Sequence, residues 1–183
     1  MSNYLSSTPK QFEYYKSLGD KCFDQVEEEM LFWQPNEQSN SIAIIVNHIV
    51  GNMLSRWTDF LDSDGEKEWR NRDKEFEDVI KTKVDLLEKW ESGWACLFNA
   101  IRPLKEEDLG KEIFIRNMGH SVTEAMNRQL CHYSYHIGQI VLLAKIIKGE
   151  DFNSLSIPKG QSKEYNTDKF AKPKRREHFT DDL

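Results

Sequence analysis

Cysteine is scarce in this chain. The three that occur, Cys22, Cys96 and Cys131, are odd in number, widely spaced and form no CxxC pair. That pattern excludes a disulfide framework and points to a reducing compartment. Long apolar runs are missing too: no stretch approaches the roughly 18 residues that a membrane span requires. The opening residues, Met1 to Leu5, have neither the basic start nor the apolar core of a secretory signal. The expected location is therefore cytoplasmic, with no membrane partner. Clustered basic charge is confined to Lys172-Pro173-Lys174-Arg175-Arg176, which Glu177 follows at once, and the net charge is −6. Neutralising phosphates takes a broader Lys and Arg face, so no nucleic-acid partner is expected and the cluster reads as a solvated tail. A Gly-rich phosphate loop and a Gly-x-Ser-x-Gly elbow are both absent.

What is present is apolar periodicity rich in rings. Apolar residues make up 38% of the 183 positions and aromatic residues 11%, enough for one domain with an aromatic core. Ser7-Thr8-Pro9 reads as a helix start, and Phe12, Tyr15, Leu18, Cys22, Val26 and Met30 follow at steps of three and four, up to Gln34-Pro35-Asn36. Ser41 or Asn40 can cap a second helix with the stripe Ile42, Ile45, Ile49, Met53, Trp57 and Phe60, closed by Asp62 to Gly65. A charged connection follows. A third helix is expected from about Glu75 to Ile101, stopped by Pro103. The alternation of Ile113 and Ile115 before Asn117-Met118-Gly119 predicts a small hairpin or extended loop. Ser121-Val122-Thr123-Glu124 matches a capping box for a fourth helix that Gly149 ends. The expected class is all-α, a four-helix bundle with a short hairpin before its last helix. The bundle domain spans residues 1–166. A polar tail, 167–183, follows, its last dozen residues expected to be mobile.

The fourth helix carries the chemical signal. His132 and His136 stand four apart, so both imidazoles leave one face. Ala125, Gln129, Ile140, Leu143 and Ile147 share that stripe and mark it as the inward side. Each buried ring has an N–H and a lone pair to satisfy, at about 1–3 kcal/mol for each group left unpaired. A divalent cation takes the lone pairs, while the N–H groups turn to outer acceptors. HxxxH alone is a weak pattern, and a third ligand is needed. His178 lies in the tail and His120 at the hairpin turn. His48 lies in the second helix beside Ile45 and Ile49, and is preferred over His120. The Glu-x-x-His of di-iron bundles is absent, since Gln129 and Tyr133 stand three before the two histidines. HExxH is absent as well. Cys131 falls about 100° round the helix from His132 and is not expected to share a metal. Cys22 and Cys96 read as core residues.

Asn47-His48 and the segment His132-Tyr133-Ser134-Tyr135-His136-Ile137-Gly138-Gln139-Ile140 resemble the DinB/YfiT-type superfamily of bacterial four-helix-bundle metalloproteins. The runs from Gly51 to Phe60, Asp64 to Glu66, Trp69 to Asp73 and Leu155 to Ser162 resemble one branch of it, a domain of unknown function. The resemblance covers roughly residues 8 to 166. It implies a three-histidine site, at His48, His132 and His136 on the matching positions, and frequent homodimers. Characterised relatives include low-molecular-weight-thiol S-transferases and a thiol-dependent isomerase.

Three neutral ligands leave the metal its full charge and an open position, the pattern of a reactive site. Zinc or nickel suits it first, and iron or manganese also accept imidazole. The first functional expectation is a metal-dependent transferase acting with a small thiol and an electrophile. The second is a metal-binding protein without catalysis, serving stress response or interaction. The third is a bundle whose histidines are only hydrogen-bonded. No catalytic base stands out. Tyr133, Tyr135, Asn47 and Gln129 are close enough in sequence to line the site, with packing or outer hydrogen bonding as their plainer role. Arg56, Arg70 and Arg72 read either as anchors for a carboxylate or, more simply, as salt-bridge partners of Asp59, Asp64 and Asp73. Trp57, Trp69, Trp90 and Trp94 exceed what one small core needs, and an exposed share would suit a dimer.

Overall fold

Ser41 opens the helix on which the site is built. Its Oγ accepts the Ile44 N–H at 3.2 Å, supplying one of the free donors of the first turn. The computed structural model describes residues 4–181. Five helices among the described residues make the protein mostly helical: α1 Tyr4–Gln25, α2 Ile42–Trp57, α3 Lys83–Ile101, α4 Val122–Lys148 and α5 Ser162–Ala171. One antiparallel hairpin, β1 Glu112–Ile115 and β2 Met118–Ser121, stands before α4, so all-α holds only approximately. No helix among the described residues is long and apolar enough to cross a membrane.

Helices α1 to α4 close around one core, with α2 against α3 and α1 against α4 as the main contacts. The core is aromatic, as expected. Phe12, Phe23, Trp90, Trp94 and Tyr133 are fully buried. Phe12 meets Trp57, Trp94 and Tyr133 at ring distances of 6.0–6.5 Å, mostly edge to face. Of the four tryptophans counted as surplus, Trp57, Trp90 and Trp94 are buried and Trp69 is 60% exposed.

Several boundaries differ from the sequence reading. Helix α1 starts at Tyr4 and carries Pro9 inside it, because Tyr4 is anchored across the fold, its hydroxyl donating to Asn127 Oδ1 at 2.8 Å. The same helix ends at Gln25, and a 3₁₀ turn over Glu28–Phe32 takes Met30. Helix α3 starts at Lys83, not near Glu75, with Thr82 as its cap. Residues 73–76 form a separate 3₁₀ turn and 77–82 run to the cap without helix. The capping box at Ser121 and Glu124 is present, and α4 ends at Gly149 in a positive φ of 56°. In the hairpin, Arg116 and Asn117 form the turn, both at positive φ, where Asn117-Met118-Gly119 had been expected. The tail folds back rather than lying free. His178 contacts Ser7, Phe179 packs on Tyr14, and Lys10 pairs with Asp181.

Candidate metal centre

Helices α2 and α4 bring His48, His132 and His136 together. One ligand atom from each lies within 4.8 Å of the others. His132 Nε2 is 3.1 Å from His136 Nε2 and 3.4 Å from His48 Nε2. Tetrahedral coordination at Zn–N distances of about 2.0–2.1 Å places ligand nitrogens about 3.3 Å apart.

The other nitrogen of each ring decides what these short separations mean. His48 Nδ1 lies 2.9 Å from Glu75 Oε2, His136 Nδ1 lies 2.8 Å from Gln139 Oε1, and His132 Nδ1 lies 3.4 Å from Gln129 Oε1. With the proton on Nδ1, each ring donates to an outward oxygen and the three Nε2 lone pairs face one another. Burial pushes His132 down to about 3, and the nearby His136, His48, Arg56 and Arg70 reinforce the shift. Burial also lowers His136, against the hydrogen bond it donates to Gln139 Oε1. Neutral imidazoles with converging lone pairs suit a cation and repel each other without one. The cluster could hold a divalent metal.

His48 is the most firmly held of the three. It is buried, with 5% of its surface exposed, and its ring stacks on Phe76 at 4.6 Å. Glu75, which orients it, receives Arg70 through two contacts, Nε to Oε1 at 2.7 Å and Nη2 to Oε2 at 2.9 Å. Burial would raise the Glu75 carboxyl, but His48 and Arg70 outweigh it and hold it below the usual carboxylate range. Both its oxygens are thereby committed to holding the first ring in place. Gly51 makes that approach possible, since a Cβ there would stand 2.5 Å from Glu75 Oε1.

A second carboxylate, Glu66, gathers Arg56, Arg70 and Arg116 at 3.1–3.2 Å. Arg56 therefore pairs with Glu66, and Arg70 with Glu66 and Glu75, not with Asp59, Asp64 or Asp73 as expected, while Arg72 has no ion pair among the described residues. Asp64 instead fastens the hairpin turn. Its carboxylate accepts the backbone N–H groups of Arg116, Asn117 and Glu66 at 2.7–2.8 Å.

The neighbours suggested by sequence sort as follows. Gln129 touches His132. Asn47 donates to the Lys74 and Glu75 carbonyls and fixes the connection. Tyr133 is buried in the core with its ring 5.5 Å from that of His132, its hydroxyl accepting from Trp57 Nε1 and donating to Asn52 Oδ1, both at 3.0 Å. Burial raises its phenol. Tyr135 is 63% exposed. His120 lies in β2 and outside the cluster. Cys131 is exposed and takes no part, while Cys22 is buried and pushed up to about 12 by that burial. Cys96 is only partly buried, packed against the core. Sequence reasoning missed Gln139, although its place three residues after His136 on the same face was a usable signal. It also missed Glu75 as a partner of His48. Nothing local marks that pairing, which spans 27 positions.

Residues 1–161 match the family described as "Protein of unknown function (DUF1572)", and the chain belongs to it. No curated protein and no solved structure matches the chain.

Proposed function

We propose that this protein is a divalent-metal-binding helical bundle of the DinB/YfiT type, with His48, His132 and His136 as ligands, acting as a metal-dependent transferase on a small thiol. The observation that carries this reading is the opposed pairing of every ring. Three Nε2 atoms converge while the Nδ1 of each ring lies against an outward oxygen, of Glu75, Gln129 or Gln139. A carboxylate or amide behind each ligand is the arrangement that orients metal-bound imidazoles. With zinc or nickel bound, the centre supplies Lewis acidity that stabilises a thiolate at neutral pH.

The protein's own groups favour a reaction with little further proton transfer. Glu75 is consumed by Arg70 and His48, and Tyr133 is held neutral in the core. Neither is placed to act as a general base. Attack by a preformed thiolate on an electrophile needs none at the nucleophile. That Glu75 and Tyr133 are both otherwise engaged suits the second reading equally, a metal-binding protein without catalysis.

Metal analysis of untagged protein tests the centre. One equivalent of divalent metal per chain is expected, and none in the His132→Ala plus His136→Ala variant. Stoichiometry near zero in both would leave only a hydrogen-bonded cluster. Metal-dependent consumption of a thiol against an electrophilic acceptor then separates transferase from binding protein. A homodimer is part of the proposal. Tyr135, Leu142 and Ile146 recur on one face of α4 and are each more than half exposed, a stripe that suits pairing between copies. Sedimentation of Leu142→Glu against the parent protein reads it out.

A further inference from the structure

Beside the histidines lies a cleft of about 230 Å³ into which five arginines reach, along with His48 and His132. They come from separate parts of the chain. Arg56 is on α2, Arg70 and Arg72 are on the connection, Arg116 is at the hairpin turn, and Arg128 is on α4. Among the described residues, two carboxylates, Glu66 and Glu75, are paired with these five guanidiniums, an excess of three positive charges. The chain as a whole is acidic, at −6, so this concentration is local.

A purely structural role accounts for part of the set. The side chain of Arg70 is buried and doubly paired, and it holds Glu75. Arg56 is buried and bonded to the Gly65 carbonyl and Glu66, yet its Nε is buried without an acceptor. Arg72 and Arg128 have no ion pair among the described residues. Arg72 lies over the Phe76 ring, 5.2 Å from its centroid, and that ring in turn stacks on His48. Arg116 sits in the left-handed region at φ 56°, an unfavourable place for a long side chain, and Asp64 fastens the turn on both sides of it. Strain of this kind persists where surroundings over-determine it. The Arg116 guanidinium pairs with Glu66 at the edge of the cleft.

We infer that this cleft is an anion-binding subsite. It takes a small molecule with a carboxylate or phosphate group, gripped by Arg72, Arg116 and Arg128, whose other end reaches the open face of His48 and His132. Arginine's planar fork matches both oxyanions, and the lining is polar or charged throughout. The volume lies below the roughly 300–1,000 Å³ of drug-sized ligand sites, so the ligand is small. The anionic half of this inference stands on the arginines alone. The half that places a reacting group at the histidines rests on the metal reading above.

The test separates the two halves. Metal-free protein is titrated calorimetrically with inorganic phosphate and with succinate, and whichever anion binds more tightly identifies the oxyanion class. Arg72→Ala plus Arg128→Ala is expected to weaken that binding at least tenfold. Arg128→Lys should retain part of it, and the remote Lys21→Ala all of it. Absence of binding by both anions, or equal binding by the double variant, overturns the subsite. Cobalt-loaded protein is then titrated with 3-mercaptopropionate and 2-mercaptoethanol, followed by the thiolate-to-cobalt absorption band. The carboxylate-bearing thiol is expected to bind about tenfold more tightly, and the advantage should vanish in the double variant. Equal binding of the two thiols overturns the link between subsite and metal. Failure to load cobalt while succinate or phosphate still binds overturns the metal reading and leaves the subsite standing.

Discussion

Helices α2 and α4 each serve two interiors that obey different rules. On one side Ile49, Met53 and Trp57 of α2 meet Tyr133, Ile137 and Ile140 of α4 in the aromatic core. On the other, His48, Asn52 and Arg56 face Gln129 and His132. The members of the two sets alternate within a few residues along each helix, so helical rotation alone divides them. The apolar side is held by area and shape, which are non-directional and shared among many neighbours. The polar side is held by single bonds to named partners, most of them supplied by residues 64–76. Losing one partner there strands the next, because a buried donor or charge has no substitute. Asn52, Tyr133 and Trp57 form the seam, a hydrogen-bonded chain that joins the two sides.

If the two sides are separately held, each can be damaged alone. The largest effect is expected from Trp90→Ala. Trp90 is fully buried, and its Nε1 donates to Asp20 Oδ1 at 2.7 Å. Stability should fall by about 3–5 kcal/mol in urea unfolding, while the folded fraction keeps its metal stoichiometry. A loss of metal binding in folded protein would show the division to be false.

Glu75→Gln strikes the other side. It keeps the shape but removes the charge that orients His48, and metal affinity should fall by about 10–100-fold in competition with a chelator. Unchanged affinity would show that the carboxylate serves only Arg70. Gly51→Ala reaches the same carboxylate by crowding it, and about 1–3 kcal/mol of stability should be lost, along with some metal affinity. A silent Gly51→Ala would mean that Glu75 has a second seat.

The smallest effect concerns Asp64. Burial works to raise its carboxyl, but the Asn117, Glu66 and Arg116 N–H groups prevail and hold it below the usual range. Its contribution is therefore present above the ordinary carboxylate pKa of about 3.9 and is lost as the pH falls through the depressed value. Amide protection at Arg116 and Asn117 should decline in that window, with the helices unaffected. Asp64→Asn should abolish the pH dependence of that protection.

The elements were largely legible because their signals are local. Ser41, Ser121 and Glu124 cap where their hydroxyl and carboxylate chemistry says they should, and the alternation of Ile113 and Ile115 yields a strand with those two residues buried. The errors fall where a distant contact overrides a local cue. Tyr4, tied to Asn127, carries helix past the Ser7-Thr8-Pro9 signal. The stretch of 73–82 is drawn away from helix as Asn47 binds the backbone of Lys74 and Glu75.

Residue types at helical spacing determined that His132 and His136 leave the same face of one helix, because a turn of 3.6 residues repeats whatever surrounds it. Only the tertiary structure decided that His48, 84 positions from His132, points its Nε2 at them, and that Glu75 stands behind it. Such meetings depend on how helices pack and where a connection is pinned. Those are properties of the folded whole, which no window of sequence contains.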